Sequence, residues 1–219
     1  DHRDLHSFPT RRSSDLHLPS YPELSGIERF EGEVFHSAEW DHEVDLRGKR
    51  VAVVGTGASA IQFVPQIAPD VQRLHLFQRT PPWIQPKPDW TIPKSIRRWF
   101  RRVPGVQRFA RAVVYWVLEA RKTVVFNPKF GPVVERFSRA YINRTVSDPA
   151  TRKAVTPNYR IGCKRILLSN DFYPALNRSN VDLDTSGIRE VRENSVVTGD
   201  GVEHPVDAII YGTGFHVTD

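Results

Sequence analysis

Six consecutive residues, Gly55-Thr56-Gly57-Ala58-Ser59-Ala60, have the types and spacing to seat a dinucleotide. In a Gly-x-Gly-x-x-Ala turn, Gly55 permits the tight bend and Gly57 lets the backbone approach a pyrophosphate. The small Ala60 lets the following helix pack close to the preceding strand. The phosphates would rest on N–H groups at that helix's N-terminus. A purely structural turn is the plainer reading of two glycines; a strand in front and a helix behind favour the phosphate. One strand further on, Phe77-Gln78-Arg79-Thr80 carries an arginine and no acid. An acid there would hold free ribose hydroxyls and repel a 2′-phosphate, whereas Arg79 can grip that phosphate bidentately and Thr80 can donate to it. The pattern favours NADPH, the alternative being an ordinary surface arginine. Cys163, the only thiol, has no matched His–acid pair and reads as a buried structural cysteine rather than a nucleophile.

These residues need a particular frame. Arg50-Val51-Ala52-Val53-Val54 reads as a buried parallel strand running into the glycine turn. A helix should follow with Ile61, Val64, Ile67 and Ala68 on one face, and Pro65 predicts its kink or early end. Val71 to Phe77 reads as the second strand, which completes a βαβ unit. Pro81, Pro82, Pro86, Pro88 and Pro93 then forbid a regular element. Helices are predicted over 94–102, 105–126 and 132–144, the second with an apolar stripe of Val106, Phe109, Val113, Trp116 and Val117 that reads as packing. Strand character returns at 181–183, 188–191, 195–197 and 202–204, the last two flanking a hairpin turn at Thr198-Gly199-Asp200-Gly201. Asp207 to Tyr211 is a last buried strand, ending in Gly212-Thr213-Gly214-Phe215. The fold class is α/β: a Rossmann-like NADP-binding domain with a helical insertion.

Residues Phe30, Gly32, His36, Trp40 and Asp41 fall in the order Phe-x-Gly-x-x-x-His-x-x-x-Trp-Asp, just ahead of the glycine turn. This resembles the fingerprint of Baeyer–Villiger-type flavin-containing monooxygenases; N- and S-oxidising relatives carry Tyr or Phe where Trp40 stands. Three further segments resemble the same family: Gln78 to Pro82, Gly162-Cys163-Lys164-Arg165, and Asp207 to Phe215, where Gly212 replaces the usual alanine. The resemblance covers about residues 17–219 and implies a partial copy of a flavoprotein with two dinucleotide-binding domains. It implies NADPH and FAD as cofactors, with one atom of O2 inserted into a ketone to give an ester or lactone. An N- or S-oxidising enzyme acting on sulfides remains the nearer alternative. It assigns Lys164 to the 2′-phosphate and Asp207, Thr213 and Gly214 to cofactor binding. Arg165 becomes the catalytic residue, whose permanent charge would stabilise an oxyanion beside the flavin. His36 would couple domain motions rather than touch substrate.

The resemblance and the punctuation together divide the chain. Residues 17–48 form a linker bearing the fingerprint, 49–80 the first part of the NADP-binding domain, and 81–160 the helical insertion. Residues 161–206 return to that domain with a β-meander, and 207–219 form a strand leading to a flavin domain. No methionine occurs, and residues 1–16 resemble a translated sequencing adapter, to be excluded from fold reasoning and expected to lack regular structure. The expectation is a fragment truncated at both ends that alone binds no FAD and turns over no substrate. A lone cysteine excludes a disulfide framework and fits a cytoplasmic protein. No apolar run is long enough to span a membrane, and no metal is implied. Between Lys94 and Lys122 nine basic residues face one acid, Glu119. That run reads as a solvated helical face, with a nucleic-acid- or membrane-binding module as the remote alternative.

Overall fold

The structure, a computed structural model, describes residues 18–89, 91–126 and 130–215. The expectation for residues 1–16 lies outside that range. A 3-10 turn at Ile27–Arg29 leads into β1 (Glu33–His36), β2 (Arg50–Val54), α1 (Ala60–Ile67) and β3 (Arg73–Phe77). There follow β4 (Ile84–Gln85), α2 (Lys94–Arg102), α3 (Val106–Phe126), α4 (Gly131–Thr145), α5 (Pro149–Ala154), β5 (Leu167–Leu168) and α6 (Phe172–Leu176). The chain closes through β6 (Val181–Asp184), β7 (Ile188–Arg192), β8 (Ser195–Thr198), β9 (Glu203–Pro205) and β10 (Ala208–Tyr211). It forms two compact units, the first holding the described residues up to Thr80 and from Arg178 onward, the second Pro81–Asn177.

The first unit is built on a parallel sheet in the order β1-β10-β2-β3-β6. Its central strands are continuous apolar runs because both faces are covered: Val51, Ala52, Val53, Ala208, Ile209 and Ile210 are fully buried. The antiparallel meander β7-β8-β9 supplies Val191 and Val196 to a core that also contains Ala52, Phe77, Ile209 and Tyr211. The crossover helix α1 buries Ala60, Ile61 and Val64, and with Pro65 inside it stops at Ile67. These elements are those expected of an α/β, Rossmann-like domain.

Two expectations for this unit change. The 17–48 segment is not all linker, since β1 forms an edge strand paired along its length with β10. Its run Glu33-Val34-Phe35-His36 is too short and too mixed to announce a strand by pattern, and the open edge of β10 decides it. The second strand begins at Arg73 rather than Val71, because Gln72 already donates its amide to Lys49.

The second unit runs further than residue 160. The return expected at 161 occurs instead at Arg178, because Leu167–Leu168 pair in parallel with Ile84–Gln85. The Asn177 side chain also holds this unit, accepting from the Ser147 amide at 2.9 Å and donating to the Thr145 carbonyl at 2.7 Å. Its core contains Trp83 and Tyr173, both buried, with the Trp83 indole donating to the Tyr159 carbonyl at 3.0 Å. The three long helices lie within a residue of their expected bounds. The α3 stripe, however, is not packing: Phe109, Val113, Trp116 and Val117 are all exposed.

Candidate functional site

The glycine turn lies between β2 and α1, at the C-terminal end of the parallel sheet, where open α/β sheets bind ligands. Gly55 has φ +105°, which L side chains rarely adopt, and a Cβ there would lie 2.7 Å from the Gly212 carbonyl oxygen. Gly57 faces outward and is exposed; a Cβ on it would meet only that same oxygen, at 3.4 Å. Ala60 is fully buried, and a Cβ added at Gly212 would sit 3.2 Å from its own Cβ. The glycine standing in place of the family's alanine at 212 thus relieves the crossing of β10's end with α1.

The start of α1 is open. Ser59 is already helical and makes no side-chain cap. The amides of Gly57, Ala58 and Ser59 have no hydrogen-bond partner among the described residues. An uncapped helix N-terminus behind a turn with glycine at 55 and 57 is an anion cradle, which fits a dinucleotide pyrophosphate. Thr56 is buried, and its hydroxyl reaches the Thr80 carbonyl at 3.5 Å, tying the turn to the end of the neighbouring strand. Arg79 is exposed at that strand end, with no ion-pair partner among the described residues, and Thr80 is half-buried. The nearest acid on the adjoining strand, Asp184, is held by the Ser186 amide at 2.7 Å and the Ser186 hydroxyl at 2.6 Å.

The residues after β10 bind the chain near Ser20. The Thr213 hydroxyl donates to the Ser20 carbonyl, and the Gly214 carbonyl accepts from the Ser20 amide at 2.9 Å. These groups join the two chain segments next to the sheet. Asp207 lies at the start of β10, the opposite end of the sheet from the glycine turn. There it accepts from the Arg50 amide at 2.8 Å and from Arg50 Nε at 3.0 Å. The Arg50 guanidinium holds the Asp207 carboxyl below its ordinary range. Asp207 thus serves as the counterion of Arg50, and parallel register is what separates it from the glycine turn.

The fingerprint residues form a packed corner of the first unit. A Cβ at Gly32 would lie 2.4 Å from the Asp207 carbonyl oxygen and 2.7 Å from the Phe30 ring. Trp40 packs edge-on between Phe35 of β1 and Phe63 of α1, at 5.2 and 5.3 Å between ring centres. Asp41 turns back to accept from the Glu43 amide at 2.9 Å. His36, at the end of β1, is almost wholly buried, and its Nδ1 accepts from the Ala38 amide at 3.1 Å. Burial pushes its pKa down, partly opposed by Glu39 and by the Gly214 backbone. Its ring lies 5.5 Å from Tyr21, which also packs on Tyr211 at 5.3 Å. Nothing in the sequence pattern marks Tyr21; only the tertiary corner brings it in.

Lys164 and Arg165 belong to the second unit, on the turn before β5. Both are exposed, and Lys164 Nζ stands 5.0 Å over the Tyr159 ring. Cys163 beside them is exposed too, which corrects the expectation of a buried thiol: the turn that carries it leaves no core to receive it.

The sequence pattern of the family described as flavin-binding monooxygenase-like matches residues 11–218. A Baeyer-Villiger monooxygenase of Pseudomonas aeruginosa is 54% identical over 93% of this chain and 39% of that protein. Another, from Streptomyces coelicolor, is 48% identical over 92% of this chain and again 39% of its own length. Among solved structures, an open form of cyclohexanone monooxygenase superposes with TM-score 0.75 at 27% identity, covering 93% of this chain and 47% of that one. A steroid monooxygenase bound to NADP gives TM-score 0.76 at 28% identity, covering 91% and 45%. The chain thus spans about 39% of the length of the curated relatives it matches. With the glycine cradle, the Trp40 corner and the whole described range inside that match, the chain belongs to the flavin-binding monooxygenase-like family.

Proposed function

We propose that this chain is the nicotinamide-binding part of an NADPH- and FAD-dependent monooxygenase that inserts one oxygen atom of O2 into ketones, giving esters or lactones. The observation that carries the reading is the uncapped start of α1 with its open amides, flanked by Arg79 at the end of the next strand. The amides suit a pyrophosphate, and the guanidinium suits a 2′-phosphate that an acid at that position would repel. The choice of ketone oxidation rests on Trp40 in the fingerprint and on the names of the relatives. Bound NADPH would supply hydride, and FAD would supply the oxygen chemistry. The described residues carry one dinucleotide cradle, and we assign it to NADPH; no flavin seat is assigned among them.

Within that reading, Gly57, Ala58 and Ser59 bind through their backbone, and Arg79 and Thr80 select the phosphate. Arg165 stabilises negative charge developing on oxygen. Calorimetry of this chain with NADPH and NADH tests the cradle. Arg79→Ala is expected to weaken NADPH binding about 10- to 100-fold, the worth of one charge-assisted contact, and to leave NADH unchanged. An unaltered preference refutes the assignment. In a polypeptide of the relatives' length that carries this chain, Arg165→Ala should keep NADPH affinity and abolish ester formation from a ketone. Normal ester yield would overturn its role, and oxidation of sulfides alone would overturn the substrate class.

A further inference from the structure

The helices α2 and α3 present apolar and basic side chains outward together, a combination that the nicotinamide site does not use. In α2, helical spacing puts Ile96, Trp99 and Phe100 on one side and Lys94, Arg97, Arg98 and Arg101 on the other. No residue of this helix is buried, and Trp99 is 63% exposed. The stripe on α3 is equally open, with Phe109 72% and Trp116 68% exposed. Helices of globular proteins turn such stripes inward; these turn theirs to solvent. None of the α2 arginines has an ion-pair partner among the described residues, and no acid occurs from Lys94 to Leu118.

We propose that α2 and the described part of α3 lie on an anionic lipid surface, with aromatic and aliphatic side chains in the headgroup boundary and arginines against lipid phosphates. Charge complementarity selects the partner: a dense basic helix face gathers anionic headgroups, and indole rings favour the boundary between water and hydrocarbon. Among the described residues no helix is long and apolar enough to cross a membrane, so the contact lies along the surface. A nucleic acid would use the arginines but offers nothing to Ile96, Val113 or Val117. The proposal is independent of the NADPH reading.

Co-sedimentation of this chain with phosphatidylcholine vesicles, with and without phosphatidylglycerol, tests it. Partitioning onto the anionic vesicles should exceed that onto neutral ones about tenfold or more. A variant with Arg97, Arg98, Arg101 and Arg102 all changed to Gln should lose that excess. A second variant, Trp99→Ser with Phe109→Ser and Trp116→Ser, should also lose binding; its sites are exposed, so its circular dichroism and NADPH affinity should match the parent. Equal binding to both vesicle types, or to neither, overturns the proposal. So does binding to duplex DNA that the aromatic substitutions leave intact, or self-association without lipid that they abolish.

Discussion

The central sheet and the α2–α3 pair contain residues of the same apolar kinds yet treat them oppositely. In β2 and β10 every side chain of Val51 to Val53 and Ala208 to Ile210 is withdrawn from water, while Phe109, Val113 and Trp116 of α3 stand in it. A strand flanked on both sides by parallel partners, with covered faces, has no outward direction to offer. A helix has one whenever nothing packs on its stripe. The contrast separates residues that hold the fold from residues whose apolar surface remains available for something else.

The difference between buried and exposed apolar residues should be largest at Ile209. Ile209→Ala, in the core shared by the sheet and the meander, should cost about 2–5 kcal/mol of stability in denaturant unfolding. Trp116→Ala should change stability by less than about 0.5 kcal/mol despite removing a larger side chain. If the two costs were similar, α3 would be packed in solution and the contrast would fail.

The join between sheet and meander should also be sensitive to pH. His75 on β3 is buried, 4.4 Å between ring centres from His204 on β9, and 3.4 Å from the Asp182 carboxylate. Desolvation, and next the neighbouring His204, push its pKa down to about 4, with Asp182 opposing. Folding therefore disfavours the protonated form. Stability should be intact above the unfolded value near 6.5 and decline as pH falls from there to about 4, by at most about 3 kcal/mol. His75→Gln should flatten that slope in thermal melts across the same window. A slope unchanged by the substitution would place the acid sensitivity elsewhere. The exposed helices contain no such group and should not contribute.

The smallest effect is expected at the sheet's far end. Arg50 and Asp207 are about one third exposed, so Asp207→Asn should cost about 1 kcal/mol or less. NADPH affinity should be unchanged, because parallel register sets the pair at the opposite end from the cradle. A loss of cofactor binding would instead show the ligand role for Asp207 that the strand motif suggests.

Much was legible because it is local. A strand, a turn needing φ > 0 and a close helix crossing follow from Val51 to Ala60, and the strand-end Arg79 follows one repeat later. The βαβ order, the hairpin at 198–201 and the three long helices are likewise periodicities of neighbouring residues. What the sequence left open involves partners far along the chain. The edge strand β1 exists because β10, some 175 residues later, offers unpaired backbone groups to Glu33–His36. Asp207 meets Arg50, and Tyr21 meets His36, for the same reason. The exposure of Cys163 and of the α3 stripe is of this kind as well, since apolarity states a preference and only the surrounding surfaces determine whether it is met. The glycine turn and the charge at the end of the next strand were already set by the sequence alone, since backbone strain and charge act within a few residues. The tertiary structure alone decided which charges were already taken and which apolar faces remained uncovered, because burial and pairing are properties of contacts between distant segments.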